Sequence, residues 1–145
     1  MKKTVSLMAI FLSVCMLAGC PMGDRLDQRY KTPETAEVSV AGDAICFHIP
    51  APSDFQPVTM MLAPRGTPFR ERWFAENPHV QIEKGELCIP SSVYAFPDKG
   101  QFIADFTLAS PQLKKKEAFS TRRFVVGFEL SKGTAYGLRL NNDEF

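Results

Sequence analysis

Between Glu37 and Leu140 the apolar residues recur at every second position, in short runs punctuated by proline and glycine. That period belongs to a β-strand, whose successive side chains leave opposite faces of the sheet. In "AICFHI", Ile45, Phe47 and Ile49 share one face while Cys46 and His48 take the other. "QFIADFTLA" aligns Phe102, Ala104, Phe106 and Leu108, and "TRRFVVGFELS" aligns Phe124, Val126, Phe128 and Leu130. "EVSVA" alternates as well, "PVTMMLAP" is a short apolar run between prolines, and "GELCIP" follows a turn at Lys84-Gly85. "TAYGLRL" offers Tyr136, Leu138 and Leu140 after a hairpin at Lys132-Gly133. About seven short strands at regular spacing predict an all-β domain, a single immunoglobulin-like β-sandwich. Twelve phenylalanines, mostly at alternating positions, supply its core. Sustained helical period is missing after residue 20, so any helix is expected to be a single turn, around "SSVYAF".

The N-terminus follows a different rule. Lys2 and Lys3 precede an apolar run from Val5 to Leu17, broken only by Ser6 and Ser13. A basic start, an apolar stretch of this length and small residues before a cut site describe an export signal. The run falls short of the roughly 20 apolar residues that span a membrane. Leu17-Ala18-Gly19-Cys20 resembles the lipobox of bacterial lipoproteins, in which the cysteine is acylated and the chain is cut before it. The expected organisation is a signal peptide over 1–19, lipidated Cys20 with a flexible stalk over 20–36, and the sandwich over 37–145. The stalk, "PMGDRLDQRYKTPETA", is polar with little periodicity. Pro21 stands where aspartate would retain a lipoprotein at the inner membrane, so the expected location is the periplasm, lipid-anchored, with the outer membrane favoured.

Cysteine use agrees with export. Cys15 leaves with the signal and Cys20 takes the lipid, so Cys46 and Cys88 remain to pair in an oxidising compartment. Each sits in a short apolar run ended by proline, which suggests two strands bridged to each other. Without Lys2 and Lys3, the 17 basic residues come close to balancing the 16 acidic ones. That balance argues against a nucleic-acid partner, which requires a basic face.

Catalytic patterns are scarce. His48 and His79 stand far apart without a clustered partner, and the chain holds no GxSxG, HExxH or glycine-rich phosphate loop. Asp105 is read as an outward carboxylate, and Lys114-Lys115-Lys116 as a solvated loop. The expectation is a protein that is not an enzyme, with no metal and no cofactor beyond the covalent lipid. What stands out is "APRGTPFRERWFAENPH", which packs Arg65, Arg70, Arg72, Trp73 and Phe74 into one irregular segment. Arginine and tryptophan are enriched at binding hot spots. A second candidate is "SSVYAFPDKGQF", with Tyr94, Asp98 and Lys99 ahead of a strand and a turn at Pro97-Gly100.

The lipobox signal, "APRGTP", "LCIP" followed by "YAFPDKGQF", and "RRFVVGFELS" together resemble small enterobacterial periplasmic lipoproteins described as candidate type VI secretion immunity proteins. The resemblance runs from about Val38 to Leu140, on motifs that are structural rather than catalytic. It implies a protein that binds and neutralises a cognate toxin delivered by neighbouring cells, stationed on the envelope by its lipid. Two other classes fit the same residues: a structural or assembly lipoprotein of the envelope, and a small-ligand binding module with an aromatic pocket.

Overall fold

The computed structural model describes residues 31–115 and 120–145. The signal segment, Cys20 and the first part of the stalk lie outside the described residues, as does Lys116. Residues Thr32–Phe145 form one compact unit.

Nine strands appear among the described residues: β1 Glu37–Ala41, β2 Ala44–His48, β3 Gln56–Pro64, β4 Trp73–Glu76, β5 Ile82–Glu83, β6 Glu86–Ile89, β7 Gly100–Ala109, β8 Thr121–Ser131 and β9 Thr134–Leu138. They make two sheets, ordered β1-β2-β6-β5 and β4-β3-β7-β8-β9, in which every strand pair is antiparallel. The first order is that of the immunoglobulin ABED sheet; the second is C′CFG with one strand added beyond G. The immunoglobulin-like sandwich expected from the alternation is therefore the observed fold. The strands beyond about seven are β4, which rises from a segment rich in arginine and proline, and β5, which has only two residues.

The alternating phenylalanines meet between the sheets. Phe47 of β2 reaches across to Phe106 and Phe128, with ring centroids 5.5 and 5.6 Å apart. Phe102, Phe106, Phe124 and Phe128 are all buried. Each such ring contributes about 1.5–3 kcal/mol through removal from water. Two hairpins are tight: Lys84-Gly85 and Lys132-Gly133 both hold positive φ at both positions, as a two-residue turn with the strands' own twist requires.

Cys46 and Cys88 are directly opposed on neighbouring strands β2 and β6 and form a disulfide, with Cα atoms 4.0 Å apart. The bond staples two strands of one sheet, whereas antibody domains bridge their two sheets. It closes a loop with a sequence separation of 42, which in the chain-entropy account stabilises the fold by about 4 kcal/mol.

Three local expectations shift. The sandwich begins ahead of residue 37: the Glu34 N–H donates to the Arg123 carbonyl at 2.8 Å, and its own carbonyl accepts from Val125 at 2.9 Å. A single bridge leaves no alternation to read. The segment around "SSVYAF" is a turn, in which Val93 and Tyr94 donate to the Pro90 carbonyl. The single helical turns lie instead at Phe69–Glu71 and Pro111–Lys114. The latter starts as capping chemistry dictates, with Ser110 Oγ accepting from the Leu113 N–H and proline at the first position.

The strand registers gather the connections at two poles, about 30 Å apart along the ten-residue β7. Turn 42–43, loop 65–72, loop 90–99 and turn 132–133 share one pole. Residues 49–55, 77–81, 84–85 and 110–115 share the other, where the chain also enters at Thr32–Glu34.

Candidate partner-binding site

Loop 65–72 of the first segment and loop 90–99 of the second fall at the first pole, and the Trp73 ring joins them, while the first segment continues along β4 to the opposite pole. The Trp73 ring packs on Tyr94 at 5.6 Å, Tyr94 on Phe96 at 4.6 Å, and Phe96 on Phe102 and Phe128 at 5.4 and 5.6 Å. Trp73 points inward because it is opposite Leu62, an inward position of β3. The row of rings closes the core, so Trp73 is a packing residue. Burial pushes the Tyr94 hydroxyl's pKa up.

The arginines divide. Arg65 forks onto Glu144, its Nε donating to Oε1 at 2.6 Å and its Nη2 to Oε2 at 2.9 Å, while Nη1 donates to Gln101. Arg72 donates from Nε to the Thr67 carbonyl and from Nη2 to the Glu144 carbonyl at 3.1 Å. Its guanidinium also lies 5.8 Å from the Phe69 ring centroid. Arg65 and Arg72 thus hold the chain's own 139–145 segment. That segment leaves β9 and crosses the outer face of the five-stranded sheet, where Leu140 occupies the space above Gly127. A Cβ on Gly127 would come within 2.6 Å of the Leu140 side chain, so any larger residue there would have to displace Leu140. The Arg65 fork, followed by the Asn141 N–H, holds the Glu144 carboxyl down to about 2.

Arg70 is exposed and makes no ion pair among the described residues. Beside it Phe69 is 63% exposed, and on the outer face of β4 Phe74 is 51% exposed. Of the five residues expected in this segment, Arg70 and Phe74 are exposed, Arg65 and Arg72 are occupied by the chain's own Glu144, and Trp73 is packed against Tyr94. Phe69 was not among them. Its signal was its place between Pro68 and Arg70, where a three-residue helical turn buries none of its residues.

Asp98 and Lys99 stand at the rim of a cavity of about 410 Å³ at the same pole. Val40, Ile45, Phe96 and Leu130 form its apolar floor. Asp43, also at the rim, has its pKa lowered from the ordinary carboxylate value, mainly by the Ser91 hydroxyl that donates to it. Away from this pole, His48 pairs with Glu86 across β2 and β6 at 3.0 Å, and Asp105 is an outer-face carboxylate forked by Arg123. Among the described residues no three histidine, cysteine or acidic side chains stand close enough to hold a metal.

A family model described as a domain of unknown function (DUF7480) matches residues 33–133, and the chain belongs to that family. The match opens beside Glu34, where the sandwich begins, and closes at the β8–β9 turn; β9 and the 139–145 segment follow it. No curated protein and no solved structure matches the chain.

Proposed function

We propose that this DUF7480 domain is an envelope-anchored periplasmic lipoprotein, acylated at Cys20, that binds a protein toxin of the type VI secretion class and neutralises it by occlusion. One observation carries the reading. A sandwich stapled by a disulfide presents an exposed Phe69–Arg70 pair at one pole and the exposed Phe74 beside it on the outer face of edge strand β4. Aromatic and arginine anchors on a rigid frame bind at low entropic cost. The Cys46–Cys88 disulfide supports an oxidising compartment. Entry of the chain at the opposite pole supports a tether that leaves the binding pole free. Neutralisation by occlusion needs no chemistry from the chain itself.

The test is a contact-killing assay. A strain lacking the protein is mixed with secretion-active and secretion-dead siblings. It should be lost selectively to the active ones and rescued by the wild-type gene but not by a Phe69→Ala/Arg70→Ala copy. Equal survival against both siblings would reject immunity to that attacker. The cavity above Val40, Ile45 and Phe96 favours a second reading, a small-ligand module, since its size falls within the range of ligand pockets. A ligand that protects the domain from heat, and loses that effect in Val40→Trp, would support it.

A further inference from the structure

The 139–145 segment is held as a ligand is held. One residue, Glu144, is read two ways from outside the segment: Arg65 forks its carboxylate and Arg72 Nη2 donates to its carbonyl, while within the segment the Asn141 N–H donates to Oε2 at 2.7 Å. The planar guanidinium fork suits an acceptor with two oxygens side by side, as a carboxylate has. Past Leu140 the segment belongs to no strand, so no ladder hydrogen bonds fix it. The Arg65 and Glu144 side chains keep 27% and 17% of their surface in contact with solvent.

The segment also fits its site incompletely. Arg72 Nη1 is buried and is the one buried side-chain polar atom among the described residues without an acceptor. Next to it Phe69, Ile103 and Phe145 surround a cavity of about 420 Å³, while Phe145 stays 43% exposed. A segment with a larger apolar residue after its acidic one would fill that space.

We infer that the Arg65–Arg72 corner is a peptide-binding site for an acidic residue followed by an apolar one, occupied in cis by Glu144–Phe145 and opened when a partner segment of that chemistry displaces it. The inference builds on the reading of this pole as a docking surface and names the partner's chemistry. The site favours an acidic partner because it would oppose two arginines, with Arg70 adding a third positive charge at the edge.

The experiment uses the full chain and a fluorescein-labelled peptide, Asn-Asn-Asp-Glu-Phe, followed by anisotropy. In the Glu144→Ala/Phe145→Ala double variant the site is free, and the peptide should bind at least about tenfold more tightly than to wild type. In wild type the tethered segment competes at an effective concentration on the order of millimolar. A peptide with Gln in place of Glu should bind the double variant about tenfold more weakly, and adding Arg65→Lys, which keeps the charge but loses the fork, should cost about as much. Thermal melts confirm that each variant is folded. A folded double variant that ignores the peptide overturns the inference. So does equal binding to wild type and double variant, or equal binding of the Glu and Gln peptides. The peptide experiment leaves Phe69 and Arg70 in place, and a Phe74→Ala copy in the killing assay tests the docking surface away from the Arg65–Arg72 corner.

Discussion

Arg122 and Arg70 show what separates the two poles. At the pole where the chain enters, Arg122 forks onto Glu34, donates from Nη1 to the Pro50 and Ala51 carbonyls, and covers the rings of Phe55 and Phe124. Near it Asp54 takes hydrogen bonds from Ser110 and from the Gln112 N–H, and the Gln56 side chain exchanges bonds with the Ile82 backbone. At the far pole Arg70 stands in solvent beside Phe69, on a loop whose other arginines are occupied by the chain's own segment. One pole uses polar side chains to tie loops together; the other leaves aromatic and charged groups unspent. A binding surface needs both, because loops can be presented at low entropic cost only when the frame behind them does not move.

The largest effect should come from removing what both poles share. The disulfide closes the loop that carries β3, loop 65–72 and β4. Cys46→Ser/Cys88→Ser, or reductant, should lower stability by about 4 kcal/mol in urea unfolding. A loss near zero would mean that hydrogen bonding between β2 and β6 suffices without it. Next comes the tied pole. Arg122→Ala should cost about 1–2 kcal/mol, since it removes the charge-assisted fork to Glu34 and the cover over Phe55 and Phe124, while water takes its place at the exposed Pro50 and Ala51 carbonyls. Phe69→Ala and Arg70→Ala at the open pole should each stay within about 0.5 kcal/mol of wild type while abolishing protection from the attacker. If they destabilise as much as Arg122→Ala, the contrast between the poles is false.

Much of the scaffold was legible in the sequence because it is written in local alternation. Phe102 to Leu108 and Phe124 to Leu130 face inward as the period of two requires, and both lysine–glycine hairpins fall where they were read. What escaped was short or distant. Glu34 makes its strand contact as a single bridge, and β4 rises from a segment whose arginines and prolines read as loop. Arg65, Arg70 and Arg72 look alike in sequence, yet Arg65 is paired with a residue 79 positions away and Arg70 with none among the described residues. A window of a few residues carries no trace of such a partner. Trp73 was drawn toward function by its type, whereas its register opposite Leu62 turns it into the core.

The smallest effect is the most local, and it sets the two poles against each other under acid. The Glu144 carboxyl, ordinarily near 4.5, is held down to about 2 in the folded chain. Between those values the unfolded chain binds the proton and the folded chain does not. The pair therefore contributes its full stability above about pH 4.5 and loses it as the pH falls from there toward 2. Because the pair is at the surface, the loss should be read at residues 141–145 rather than in the global melt. Amide protection there should fall across that window while β7 and β8 keep theirs. Asp54 at the tied pole is also held below its ordinary value, by Ser110 first and then by the Gln112 N–H, so acid loosens residues 110–113 in the same direction. Glu144→Gln separates the two. It should remove the acid response at 141–145 and leave the response at 110–113 unchanged, as independent clamps at opposite poles require. If the substitution shifts both, the poles are coupled, and the open one is not free to exchange its segment without disturbing the frame.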